Sequence, residues 1–225
     1  MKNKWESRVI PESINAKFED TVSNDSIHAD FSCEEYFQMI HLDLFAHLSR
    51  VEFYVRLFCI GMAESGYQKL SKSSCVLLGK AAFFHDIGKI MVPQDILIKP
   101  DKLTAEENSI VRDHPKYAKE ILMKMKSAPL FSNDTELFDL AVAASLSHHE
   151  WWNGSGYPFG IAGQDIPLIA RITSICDAFD TITHGRPYCN ARSVNDAFCE
   201  IKRYAGSQFD PILSNFFIQH RHIFL

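Results

Sequence analysis

Apolar residues recur every three to four positions through most of the chain, the spacing that keeps them on one face of a helix. The first long run takes in Tyr36, Phe37, Ile40, Leu44, Leu48, Val51, Val55 and Phe58. Ser32 and Glu35 just ahead of it have the spacing of a capping box, so one long helix is predicted from there to about Gly66. A second helix is predicted from about Ser73 to Ile87, stopped by Gly88, and Pro93 and Pro100 then mark a loop. Thr104 and Glu107 form another capping box and start a short helix. His114-Pro115 ends it, and Pro115 suits the first turn of the next helix, to about Lys126. Asp134 caps a helix that finishes at His148-His149. Pro167 opens one that runs to about His184, Ser193 to Ala205 is closed by Gly206, and Asp210-Pro211 begins the last. No stretch alternates polar and apolar residues for long enough to make a strand, so the fold class is all-α. Residues 1–31 lack sustained periodicity and read as a loosely held N-terminal arm, with Trp5 and Val9-Ile10 able to dock; residues 32–225 form the domain.

Composition narrows the class. A chain of 225 residues can bury about 70% of its unfolded surface without staples. The balance of 46% apolar and 23% charged residues is that of an ordinary globular protein. A net charge of -5 gives no overall attraction to a nucleic acid polymer, so an anionic substrate needs a local cluster of cations. Six cysteines, at 33, 59, 75, 176, 189 and 199, form no CxxC pair and read as reduced thiols used for packing. The polar N-terminus is not a signal peptide. The most apolar run, Val51 to Met62, is broken by Glu52 and Arg56 and is too short to span a bilayer. A soluble, cytoplasmic protein with no membrane partner is expected.

Ten histidines change the picture. "FFHDIGK" sets His85 and Asp86 side by side at the end of an apolar helix. A buried Asp is costly unless it is paired or bound to metal; taken alone, the pair reads equally well as a local cap beside a core histidine. The other positions shift that balance. His47 lies one turn after Asp43, His114 begins a helix, and His148 and His149 end one. Asp177 interrupts "ARITSICDAFD", with Asp180 one turn further. One shared site accounts for all of these at once. Imidazoles and carboxylates without thiolates suit iron, manganese, zinc or nickel rather than calcium. The candidates exceed the needs of one ion, which points to two ions ~3.5–4 Å apart with a carboxylate between them. Such a pair activates water and clamps the oxygens of a displacement at phosphorus, the chemistry of phosphodiester hydrolysis. Lys89, Arg171 and Arg186 are candidate cations for the substrate, whereas Lys99, Lys102 and Arg192 read as surface charges.

In order and spacing, "HDIGKIMVPQDILIKPDKLT", His114-Pro115, "HHEWWNGSGYPFGIAGQDIPLIARITSICDAFDTIT", "GRPY" and "AGSQFDP" resemble the HD-GYP family from about Asp43 to the C-terminus. The resemblance implies an all-helical HD-superfamily bundle with the HD-GYP extension. It also implies a site of two or three divalent ions, iron or manganese, that hydrolyses the bacterial second messenger cyclic di-GMP to pGpG or GMP. Diguanylate cyclase (GGDEF) proteins are the implied partners. The implied metal ligands are His47, His85, Asp86, His114, His148, His149 and Asp177, with Asp86 bridging and Asp43 standing where a Glu serves a third ion. Asp86 and Lys89 are the implied catalytic residues; Lys89, Tyr157, Arg186 and Asp180 the implied substrate contacts. Gly156-Tyr157-Pro158 is the loop that names the family.

The chain departs from the family in four places. Asp43 is one methylene shorter than Glu, Asn153 replaces an Asp, Cys189 follows "RPY" where a basic residue is common, and "TITHGRPY" leaves His184 without a role, so it is expected to be structural or exposed. Two alternatives follow: a cyclic dinucleotide receptor of low turnover, and a hydrolase of another cyclic dinucleotide such as 3′,3′-cGAMP. No receiver, PAS or membrane sensor segment is recognisable, so no fused input domain is expected.

Overall fold

The computed structural model describes residues 31–67, 70–185 and 190–224. The predicted arm therefore lies outside the described residues except for Phe31, whose ring meets Tyr36 edge-on.

The predicted capping box forms. Ser32 Oγ accepts from the Glu35 amide at 3.2 Å, and the Glu35 carboxylate accepts from the Ser32 amide at 2.7 Å. The helix it opens is short, however. The single long helix expected here is two: α1 over Cys33–Gln38 and α2 over Leu42–Glu64. His41 caps α2, its Nδ1 accepting from the Asp43 amide at 3.4 Å. The break lets the two pieces serve different neighbours, since α1 packs on the helix that starts at His114 and α2 packs on α3.

α3 spans Lys72–Phe83, capped by Ser71, and ends earlier than the periodicity predicts. Phe84, His85 and Asp86 form a turn, and Ile87–Met91 continues as a 3-10 helix. Gly88 supplies the reason. A Cβ there would sit 1.9 Å from the His114 carbonyl oxygen, so only glycine lets this segment lie flush against the next layer. A short α4, Gln94–Leu97, follows. α5 (Ala105–Arg112) starts at the Thr104/Glu107 capping box, and α6 (His114–Met125) has Pro115 in its first turn, both as expected. After a short α7 (Pro129–Ser132) come α8 (Thr135–Ser147, capped by Asp134), α9 (Leu168–His184), α10 (Val194–Arg203) and α11 (Pro211–Gln219, capped by Asp210). α4 and α7 are too short to carry a periodic signal. No strand occurs among the described residues; a single bridge joins Ala205 to Phe209.

α8 is the centre of the bundle. It packs on α3, α6 and α9, which is why nearly every residue from Leu137 to Ser147 is buried. α9 packs in turn on α2 and α10. Phe58, Phe179 and Phe217 close the core beside α11, with ring centroids of successive pairs 5.3 and 5.5 Å apart. Each such ring stabilises the fold by roughly 1.5–3 kcal/mol on burial. Cys59, Cys75 and Cys176 are buried free thiols, as expected of packing residues; Cys199 is exposed, and Cys189 lies outside the described residues. No helix among the described residues is long and apolar enough to cross a membrane.

Candidate metal centre

Three helix ends and two helix faces converge where the turn Phe84–Asp86 crosses the bundle. His47 comes from α2, His85 and Asp86 from the turn, His114 from the start of α6, His148 and His149 from the end of α8, and Asp177 from α9. The turn is tied down by Ser145 of α8, whose buried hydroxyl lies 2.8 Å from both the Phe84 and Ala141 carbonyl oxygens.

These side chains fall into two groups. Asp86, His114, His148 and His149 form one; His47, His85, Asp86 and Asp177 form the other, and in each the ligand atoms lie within 4.8 Å of one another. Asp86 belongs to both. Its Oδ1 is 3.0 Å from His114 Nε2 and 3.5 Å from His148 Nε2, while its Oδ2 is 3.4 Å from His85 Nε2 and 3.5 Å from His47 Nε2. All seven residues of the expected ligand set are brought together.

The imidazoles are pre-set for cations. His85 Nδ1 donates to the Ala82 carbonyl at 2.8 Å, His114 Nδ1 to Val111 at 2.7 Å, and His148 Nδ1 to Ala144 at 3.0 Å. A backbone acceptor on Nδ1 fixes the neutral tautomer whose Nε2 carries the lone pair. Those lone pairs face inward. Asp86 Oδ1, His114 Nε2 and His148 Nε2 are buried without a hydrogen-bond partner. Three acceptors turned toward one another are repulsive unless a cation lies among them. The residues present therefore fit a pair of divalent ions.

The two groups differ electrostatically. Burial, reinforced at His149 by the neighbouring His148 and His114, holds His114, His148 and His149 below the usual histidine pKa. They are neutral near pH 7 and ready to ligate. His47 goes the other way: burial opposes its charge, but hydrogen bonds to Asp177, Asp180 and Asp86 carry its pKa up to about 10. Its Nε2 also lies 3.2 Å from His85 Nε2, a contact that one shared proton satisfies. Asp86 stays ionised; burial works against it, and Lys89, His85 and His114 outweigh burial. Lys89 Nζ donates to Asp86 Oδ2.

Asp43, Asp180 and Tyr157 lie around the two groups rather than in them. Asp43 sits in the exposed first turn of α2, 95% accessible, 3.6 Å from His41 Nδ1, and joins neither group. A carboxylate in a first turn is favoured there by the helix dipole. Asp180, expected at the substrate, is 1% exposed with both oxygens committed: Oδ2 accepts from His47 Nδ1 at 2.7 Å and Arg50 Nη2 at 2.9 Å, Oδ1 from Arg50 Nε at 2.6 Å. It also lies in the lining of the cleft that opens beside the metal groups. Tyr157 stacks on His149 at 4.7 Å, with the Arg112 guanidinium over its ring at 4.3 Å, so its ring braces a metal-site imidazole. Arg186 lies outside the described residues. Arg171 is also used internally, bonded to Asp210 Oδ2 at 2.6 Å and the Ile166 carbonyl at 2.9 Å.

Sequence reasoning missed Arg50, Arg112 and Glu150. Arg50, one turn after His47, interrupts an apolar helix much as Asp177 does, and that was its signal. Buried Glu150 accepts the Phe159 amide at 2.6 Å and so folds the Gly156-Tyr157-Pro158 loop back onto the histidines. Gly156 is required in that loop because a Cβ would lie 2.2 Å from the Trp151 nitrogen. Asn153 is exposed, and its Oδ1 caps the turn by accepting from the Ser155 amide and hydroxyl at 3.0 and 2.7 Å, which an Asp does equally well.

Beside the metal groups opens a cleft of about 560 Å³. Its lining combines charged and polar groups, among them Asp43, His47, Lys89 and Asp180, with apolar ones such as Ile96 and Leu97.

The family model described as "HD domain" matches residues 47–213, from the first clustered histidine into α11. The chain belongs to the HD-domain family, and within it to the HD-GYP group. Its relatives include a probable cyclic di-GMP phosphodiesterase of Vibrio cholerae, 36% identical over 80% of this chain and 41% of that protein. A 3′3′-cGAMP-specific phosphodiesterase 2 of the same organism is 34% identical over 78% of this chain and 31% of its own length. A cyclic di-GMP phosphodiesterase of Thermotoga maritima is 37% identical over 62% and 36%. The chain thus spans about two fifths or less of these relatives. Among solved structures, an HDG"Y"P protein of Bdellovibrio bacteriovorus matches 97% of this chain and 66% of its own with a TM-score of 0.57 at 17% identity, a likeness of fold.

Proposed function

We propose that this HD-GYP domain is a metal-dependent phosphodiesterase for cyclic dinucleotides, with cyclic di-GMP as its first substrate. The observation that carries the reading is Asp86, one buried carboxylate shared by two sets of neutral or displaceable nitrogen donors. His85, Asp86, His47 and Asp177 would hold one ion, and Asp86, His114, His148 and His149 the other. Iron or manganese suits these imidazole and carboxylate donors. When bound, the ions supply Lewis acidity that activates water and screens charge on phosphorus.

The chain's own residues do the rest. Fixed Nδ1–carbonyl bonds hold the imidazoles in place without reorganisation during reaction. Lys89 lines the cleft with its ammonium at the Asp86 edge, where it meets an entering phosphate and stabilises charge on the leaving oxygen. The apolar wall of Ile96, Leu97 and Ile98 offers a surface for a base. Arg186, which follows the cleft residue Gly185 in sequence, remains the expected second cation for the substrate.

A second reading keeps the chemistry and changes the substrate to 3′,3′-cGAMP. It is favoured by the relative of that specificity, whose 34% identity is almost that of the cyclic di-GMP relative at 36%. A receptor of low turnover loses one of its motives, because Asn153 serves the turn and not the metals. The test is hydrolysis of each dinucleotide by the full chain loaded with Fe(II) or Mn(II) under anaerobic conditions, with products separated by chromatography. The expected outcome is linear dinucleotide or mononucleotide from cyclic di-GMP and none with Asp86→Ala. Tight binding without product from either dinucleotide would overturn the enzyme reading. Cytoplasmic location and GGDEF partners belong to the same proposal.

A further inference from the structure

Asp180 is held by more donors than a side chain needs merely to be satisfied. It is 1% exposed, and besides His47 Nδ1 it accepts the Arg50 guanidinium side-on, Nε to Oδ1 at 2.6 Å and Nη2 to Oδ2 at 2.9 Å. His184 Nδ1 adds a contact 3.1 Å from Oδ1; the same nitrogen lies 3.1 Å from Thr183 Oγ1 and 3.3 Å from the Asp180 carbonyl. Arg50 comes from α2, the helix that carries His47, so the fork fixes the carboxylate relative to the imidazole it serves.

We propose that Arg50 is a positioning residue for one of the two ions, with His184 as a secondary one: they clamp Asp180, and Asp180 sets the ring of His47. This rests on the two-ion reading of the site. The physical case is local. A bidentate guanidinium–carboxylate pair fixes both distance and plane. With Asp180 so fixed, its other lone pairs meet His47 Nδ1, and His47 Nε2 is aimed at Asp86 and Asp177, 3.5 and 3.3 Å away. A carboxylate behind a ligating histidine also raises its donor strength, and losing such support typically weakens metal binding ~10–100-fold. In the other group, His114 and His148 rest their Nδ1 atoms on backbone carbonyls, which no side-chain substitution removes. The clamp should therefore act on one ion alone. It also gives a role to His184, which the family pattern leaves without one. Arg50 is one-third exposed and His184 is 41% exposed at the end of α9, so neither substitution hollows the core.

The experiment is a Co(II) titration of the metal-free full chain followed by visible absorption, with thermal unfolding as a check on folding. Wild type should take two ions. Arg50→Ala should bind one as wild type does and the second ~10–100-fold more weakly, and Arg50→Lys should recover part of the loss. His184→Ala should show a smaller loss on the same ion, and His184→Asn, whose amide stands near the Nδ1 position, should restore it. Equal weakening of both ions, or none, in Arg50→Ala with two ions still bound by wild type would overturn the clamp and leave the two-ion reading intact. A single ion in wild type would overturn both.

Discussion

Asp86 Oδ1 lies 3.0 Å from His114 Nε2, and neither atom has a hydrogen-bond partner although both are buried. The same carboxylate turns its other oxygen to His85 and His47. Asp86 should therefore be the one residue whose loss empties both halves of the site. Elemental analysis should find about two ions in the wild-type chain, about one in His114→Ala, and close to none in Asp86→Ala. Asp86→Ala retaining one full ion would show that the carboxylate is not shared.

Lys89 should separate metal binding from turnover. Its ammonium touches Asp86 and lines the cleft, but it is no metal ligand. Lys89→Ala should keep both ions and lower kcat by about 10²-fold or more, the usual scale for one preorganised charge at a developing oxyanion. Parallel metal analysis and initial rates check this. A matching loss of metal would instead make Lys89 part of the binding site.

The metal-free protein should lose stability in alkali because of His47. Its folded pKa of about 10 stands above the ordinary 6.5, so its stabilising contribution is complete below about pH 6.5 and is lost as pH rises through 10. With chelator present, Tm should fall between pH 7 and 10, and His47→Gln should flatten that slope. Metal uptake at pH 7 should also release a proton from His47, but none from His114 or His148, which are already neutral. Unfolding curves and calorimetry in buffers of different ionisation enthalpy measure the two effects.

Gly88 is the tightest contact behind the site. A Cβ there meets His114 O at 1.9 Å and Ala118 N at 2.6 Å, both backbone atoms. Gly88→Ala must push the 3-10 segment off α6, costing at least about 1–3 kcal/mol by overpacking. It should also separate Asp86 from His114 and reduce metal content, a result that Tm and elemental analysis read together.

Asn153→Asp should change little. Asn153 is exposed and its Oδ1 already makes the turn bonds to Ser155. Turnover should stay within about threefold, roughly 0.6 kcal/mol. A large gain would mean that charge at this position reaches the substrate.

The helices and their caps were legible because they are local. Ser32 with Glu35, Thr104 with Glu107, and Asp134 with Leu137 are bonds across three residues, and the sequence holds both partners side by side. The metal-ligand set was legible for a chemical reason: histidines and aspartates that break apolar helices need a cation or a partner wherever the fold takes them. What sequence could not decide depended on which surface each segment met. The helix break at Met39 to His41 exists because α1 and α2 have different neighbours, and the turn at His85 because Gly88 lies against α6. Asp43 and Asp180 look alike in the sequence, each one turn from a candidate ligand, yet the fold uses them differently. One projects into solvent, and the other is paired with a histidine 133 residues away and with Arg50, because only the packing of α9 on α2 brings those groups within a hydrogen bond.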